Sequence, residues 1–129
     1  MLDTDICIYL IKNRPPELRD RFDSLLGELC ISVITLGELH FGAEKSPRRN
    51  ENLAAIQGFA VQLEILPLSA DAATHFGQIR AHLARAGTPI GPFDLLVGAH
   101  ARSEDLTLVT NNVREFARIP ELRIENWVA

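Results

Sequence analysis

Short, β-branched apolar runs alternate along this chain with stretches whose apolar residues recur at helical spacing. That alternation confines it to a layered strand-and-helix fold. Leu29-Cys30-Ile31-Ser32-Val33-Ile34 and Leu106-Thr107-Leu108-Val109-Thr110 are short and apolar on both faces, as buried strands are. Met1-Leu2-Asp3 reads as the end of a very short first strand, and Arg123-Ile124-Glu125 as a last one. Glu64 to Leu68 makes a further strand, in which Pro67 marks an edge position or a strand end. Between these lie helical patterns. The Ile6 to Ile11 segment starts a helix or turn, and Pro16 to Leu26 gives a helix of about three turns closed by Gly27. Ser46-Pro47 precedes a helix whose inner face is Leu53, Ile56, Phe59, Ala60 and Leu63. Ser69 caps a long helix with Ala72, Ala73, Phe76, Ile79, Ala81 and Leu83 inward, closed by Gly87. The expected fold is an α/β sandwich with a central, mainly parallel sheet.

At 129 residues and 47% hydrophobic content, the chain suits one domain, 1–129, with one continuous core. The Gly87 to Pro92 stretch is then a loop and not a linker. No apolar run approaches the ~20 residues that span a bilayer, and no signal-peptide pattern opens the chain, so a cytoplasmic protein without membrane contact is expected. Cys7 and Cys30 lie inside apolar runs and read as buried reduced thiols. A formal net charge of -4 argues against indiscriminate nucleic-acid binding. It leaves room for an enzyme that acts on RNA, because nearly all the positive charge is Arg, which suits bidentate phosphate contacts. Arg14, Arg19, Arg21, Arg48, Arg49, Arg80 and Arg85 are the candidates, beside their ordinary place on solvated helix faces.

Four acids, Asp3, Glu38, Asp94 and Glu115, sit at or shortly after the points where strand-like runs give way to loops or helices. Thr35 is the expected cap of a helix that carries Glu38 in its first turn, and Asp94 opens the helix from Leu95 to Ala101. Any one such acid is explained by the helix macrodipole alone. Together they point further, because the carboxyl ends of parallel strands share one edge of the sheet. Clustered carboxylates repel one another unless a hard divalent cation joins them, and Mg²⁺ takes oxygen ligands. Such a centre lowers the pKa of a bound water and stabilises charge on a phosphate, so the chain reads as a metal-dependent phosphoryl-transfer or hydrolytic enzyme. Thr110, Asn111 and Asn112 can orient a carboxylate, donate to a phosphate, or simply form a turn. His40, His75, His82 and His100 show no ligand spacing, and there is no Gly-x-Ser-x-Gly elbow or P-loop.

The segments Leu2-Asp3-Thr4-Asp5-Ile6, Ser32 to Leu39, Ile90-Gly91-Pro92-Phe93-Asp94-Leu95-Leu96 and Val109 to Phe116 together resemble the PIN-domain ribonucleases, and among them the VapC toxins of bacterial toxin–antitoxin pairs. The resemblance runs from residue 2 to Trp127. It implies a three-layer α/β/α sandwich and a Mg²⁺-dependent endoribonuclease in which Mn²⁺ can substitute. Asp3, Glu38 and Asp94 match the family's three most regular acidic positions and would hold the metal. The fourth position differs: many PIN domains place an acid where this chain has Asn112, and Glu115 is its replacement in the subgroup sharing Thr-Asn-Asn-x-Arg-Glu-Phe. That subgroup is associated with cutting initiator tRNA in the anticodon region. Asp5 stands where the family commonly has Asn, either approaching the metal or capping the next helix. The first strand is also shorter than usual for the family.

The resemblance further implies a small antitoxin as partner and a homodimer. An antitoxin Arg could enter the acid cluster, and Ile8, Leu18, Phe22 and Phe41 are candidates for a docking groove or dimer face, each with a competing place in the core. Two rivals remain at this stage. Asp3-Thr4-Asp5 after a strand also resembles the nucleophile motif of haloacid-dehalogenase phosphatases, but the only lysines, Lys12 and Lys45, are not in the late position which that chemistry needs. The other rival is a non-enzymatic module whose acidic patch receives a basic partner.

Overall fold

The computed structural model describes residues 1–128. Two parallel strand pairs lie at its centre, β1 (Cys30–Ser32) with β2 (Glu64–Leu66) and β3 (Leu108–Val109) with β4 (Ile124–Glu125). The first residues stitch them into one surface. Leu2 N–H donates to the Cys30 carbonyl at 2.9 Å, Val109 N–H donates to Met1 at 2.8 Å, and Asp3 N–H donates to Val109 at 2.8 Å. The order across the sheet is therefore β2, β1, the Met1 to Asp3 segment, β3, β4, all parallel where paired. Asp3 leaves the middle of this sheet at its carboxyl edge.

Because successive strand residues face opposite ways, each strand feeds two cores. Leu2, Ile31 and Val109 join Ile6, Leu10, Leu18, Phe22, Ile56 and Phe59 on one side. That layer holds α1 (Thr4–Ile11), α2 (Pro16–Ser24), α3 (Val33–Glu44) and α4 (Arg49–Ala60). Met1, Cys30 and Leu108 join Ile79, Leu83, Val97 and Phe116 on the other. There α5 (Ala70–Ala86), α6 (Pro92–Ser103) and the short α7 (Val113–Phe116) pack. This is the three-layer sandwich expected from the sequence. Ser69 caps α5, accepting from Ala72 N–H, and Gly87 ends it at φ 69°, a left-handed conformation that favours glycine.

Several local expectations are corrected. The strand expected over 29–34 stops at Ser32, whose hydroxyl accepts from Ile34 N–H at 3.1 Å and so starts α3 three residues before Thr35. Thr35 is inside the helix and buried, and Glu38 falls in the second turn. The α2 helix is shorter than three turns, ending at Ser24 before Gly27. Leu18 and Phe22 are core residues and line no docking groove: Phe22 stacks on Phe59 at 5.7 Å and lies under the Arg19 guanidinium. Phe41 stays exposed, and Ile8 is half-buried. Ala73 and Ala81 of α5 face solvent. Cys7 and Cys30 are buried free thiols, as expected. No helix among the described residues is long and apolar enough to cross a membrane.

Gly98 fixes how closely α6 approaches the residues after α7. A β-carbon there would collide with the tip of Ile119 and meet the Phe116 ring at 3.5 Å. Gly98→Val should therefore lower stability by roughly 1–3 kcal/mol, overpacking outweighing the few tenths recovered in helix propensity. Urea unfolding measures it, and an unchanged midpoint would refute the close approach.

Candidate active site

Asp3 is the centre of the site. Its carboxylate ends the central backbone segment only 3% exposed, with one oxygen accepting from Thr4 N–H at 2.8 Å and the other from the Thr110 hydroxyl at 2.8 Å. The same carboxylate caps α1, which answers one question about Asp5: Asp5 makes no cap bond and stands exposed in the first helical turn. Burial pushes the Asp3 carboxyl up to about 6, against the pull of Thr110 and Thr4, and the charges of Asp5 and Glu38 add to the rise.

From Asp3 the polar contacts extend both ways. On one side the Thr4 hydroxyl donates to Glu38 at 2.7 Å, and Thr35 stands behind it at 3.4 Å. On the other, Thr110 accepts from Asn112 N–H at 2.9 Å. The Asn112 amide in turn reaches Glu115 at 3.0 Å and Asp94, at the longest reach of a hydrogen bond, at 3.5 Å. Glu38, Thr4, Asp3, Thr110, Asn112, Glu115 and Asp94 thus form one continuous arc. It draws in all four of the acids expected from sequence.

Asp94 occupies the first turn of α6, where Gly91 caps a helix with Pro92 at its first position. Burial, a hydrogen bond with Glu115 and the charges of Asp3, Glu115 and Glu38 push its carboxyl up to about 7. Glu115 shifts the opposite way, held ionised by Asn112 first and Asp94 second. As pH falls towards 7, Asp94 is thus the member of the pair that takes up a proton first.

The four acids offer only oxygen, which suits a hard cation such as Mg²⁺ or Mn²⁺ and not zinc. Two carboxyls held far above their usual range by burial and by like charge show how unfavourable full ionisation is without a counter-charge. No three acidic, His or Cys side chains among the described residues already stand around a single point as ligands. The hydroxyls and amides of the arc hold the carboxylates in their places instead.

Of the supporting residues expected from sequence, Thr110 and Asn112 orient carboxylates. Asn111 turns away, with only a 3.5 Å contact to the Tyr9 hydroxyl. Thr4 is not singled out from the sequence and Thr35 is read there only as a helix cap, although Thr4 lies inside the Leu2 to Ile6 motif; a hydroxyl beside a site acid is the signal that marks it. The arginines are spread over the surface. Arg19, Arg21, Arg48 and Arg49 pair with Asp23, Glu125, Glu51 and Glu44, and Arg80 lies over Phe76. Such exposed pairs are weak, so a phosphate can replace the acid partner at little cost. Lys45 stacks on Phe41 at 4.9 Å on the surface.

Comparison with known proteins agrees with this geometry. Residues 1–122 match the PIN domain family model. The chain is 55% identical over 127 residues to the tRNA(fMet)-specific endonuclease VapC of Shigella flexneri, covering 98% of this chain and 96% of that protein. It is 54% identical over the same length, with the same coverage, to the protein of that name from Salmonella typhimurium. Among solved structures, the DNA-bound VapBC of Salmonella typhimurium superposes with a TM-score of 0.95 at 54% identity, covering 98% of this chain and 96% of that one. VapBC2 of Rickettsia felis, bound to a DNA fragment from its promoter, gives 0.93 at 40% identity, covering 98% and 97%.

Proposed function

This chain belongs to the PIN-domain family and, within it, to the VapC toxins, and we propose that it is a Mg²⁺- or Mn²⁺-dependent endoribonuclease that cuts initiator tRNA in its anticodon region. The observation that carries this reading is the arc joining Asp3, Glu38, Asp94 and Glu115 at the carboxyl edge of the sheet. The tRNA(fMet) specificity of the Shigella and Salmonella relatives supports the choice of RNA.

Asp3, Asp94 and Glu38 would hold the cation. When bound, it acidifies a water molecule and offsets charge gathering on the scissile phosphate. The chain's own part is preorganisation. Thr110 and Thr4 lock both oxygens of Asp3, and Thr4 also sets Glu38, so these carboxylates need no reordering when RNA arrives. Glu115, partly exposed and kept ionised by Asn112, is placed to accept the proton that the attacking water gives up. No side-chain nucleophile is called for, and Asp5 contributes its charge from outside the arc.

A VapB-like antitoxin is the proposed partner, supported by the VapBC complexes among the solved relatives. A groove of about 270 Å³ between α1, α3 and α4, lined by Ile8, Ile11, Leu39 and Ile56, opens beside Glu38 and suits an apolar segment followed by a cation. Self-association into a homodimer is proposed as well. A cytoplasmic setting follows from the RNA substrate.

The test is direct. Incubated with total tRNA and Mg²⁺ or Mn²⁺, the purified chain should cleave initiator tRNA selectively, and EDTA should stop it. Hydrolysis of a phosphomonoester with tRNA left intact would favour the phosphatase alternative and overturn this one.

A further inference from the structure

His100 lies fully buried in α6, outside the arc, and reaches the cap of α3, so it joins the two acid-bearing helices. Its Nδ1 is 2.8 Å from the Ser32 hydroxyl oxygen. Ser32, also fully buried, is the N-cap of α3 and already accepts from Ile34 N–H. The ring's Nε2 meets no hydrogen-bond partner. Burial holds the imidazole below its usual range and hence neutral, against the Glu104 charge and the Pro67 carbonyl, both of which favour a proton on the ring. A neutral ring buried with one nitrogen unpaired is costly relative to an apolar side chain of similar volume. Packing alone does not account for it.

Its position suggests a use. Asp94 and His100 are six residues apart on α6, and Ser32 and Glu38 six apart along α3, so each acid stands about 9 Å along its helix from the contact. A tilt of a few degrees at the contact would move a carboxylate by several tenths of an ångström, and misplacement by ~1 Å costs on the order of 10²-fold in rate.

We propose that His100 is a positioning residue: its buried bond to Ser32 clamps the helix carrying Asp94 to the start of the helix carrying Glu38 and so sets the separation of the carboxylates that share the cation. The inference rests on the metal-dependent reading of the site. It concerns the geometry of the cation site and leaves the RNA contacts alone.

The test compares His100→Leu, which cannot bond Ser32, with His100→Asn, whose amide can take the place of Nδ1. Mn²⁺ binding without RNA, followed by electron paramagnetic resonance of the free ion, should weaken roughly tenfold in His100→Leu, with kcat for tRNA falling about as much and KM unchanged. His100→Asn should stay within about twofold of the parent on both measures, because it restores the bond. Ser32→Gly should reproduce His100→Leu from the other side, since glycine at an N-cap costs only a few tenths of a kcal/mol. It also decides the matter should His100→Leu fail to fold. A folded His100→Leu or Ser32→Gly that binds Mn²⁺ normally, or a His100→Asn as impaired as His100→Leu, overturns the proposal. Failure of the parent chain to cut RNA would instead count against the nuclease reading, while the Mn²⁺ comparison would still judge the clamp.

Discussion

Asp94→Asn should reduce RNA cleavage by about 10³-fold or more while making the cation-free chain more stable at pH 8. The two effects have one cause. Asp94 is held near 7 by burial and by Glu115, Asp3 and Glu38, so at pH 8 the folded chain keeps it ionised against its surroundings. An amide has the shape of the protonated acid and carries no charge, so it relieves that repulsion. Because Asp94 is only partly buried, solvent screening limits the gain to ~1 kcal/mol, or roughly 3–6 °C in Tm for a chain of this length. The same relief deprives the site of a ligand. The sign follows from linkage: with a folded pKa above the unfolded 3.8, the folded state binds more protons between about pH 4 and 7, and stability falls as pH rises through that window. The stabilisation should therefore fade towards pH 4. Activity with Mn²⁺ and thermal melting with EDTA at pH 5 and pH 8 measure both halves; a variant that melts earlier at pH 8 contradicts this account of Asp94.

That antagonism explains why the acids are legible in the sequence, while of the polar groups that join them only Thr110 and Asn112 are. Asp3, Glu38, Asp94 and Glu115 announce themselves by position, since a carboxylate at the end of a buried strand or in the turn after it runs against the apolar pattern on which the strand reading rests. Parallel topology then puts those ends at one edge without further information. The groups that make them a site depend on pairings between residues far apart in sequence. Thr4 serves Glu38 from 34 residues away and Thr110 serves Asp3 from 107, and a hydroxyl beside one acid does not by itself say which distant acid it will reach. The start of α3 shows the same limit at short range. Thr35 is the expected cap, yet Ser32 takes the role, its hydroxyl bonding Ile34 N–H and lying 2.8 Å from the ring of His100, 68 residues further along the chain. In α2 the helical period of Leu18 and Phe22 correctly marks an apolar face. Whether that face meets the core or a partner is decided by the Phe59 ring in α4, which local periodicity does not contain.

Mg²⁺ or Mn²⁺ should raise the melting temperature strongly at pH 8 and little at pH 5.5. Ligands must be ionised to bind, whereas Asp3 and Asp94 hold their protons up to about 6 and about 7. Below those values the cation has to displace protons, and its apparent affinity falls with each one displaced. Above them the carboxylates are already charged and mutually repelling, so the cation both binds and relieves the repulsion. At ten times its dissociation constant a ligand specific to the folded state contributes ~1.4 kcal/mol, or roughly 4–8 °C here. The sign runs opposite to that of the cation-free chain, which loses stability as pH rises from 4 to 7, so the curves with and without cation should diverge with increasing pH. Calorimetry in buffers of different ionisation enthalpy should show protons released on binding at pH 6 and almost none at pH 8.5. Asp3→Asn/Asp94→Asn should abolish both the cation-dependent shift and the proton release. A shift of equal size at pH 5.5 and pH 8 would mean that the cation binds elsewhere, and would separate these two carboxyls from the metal chemistry proposed for them.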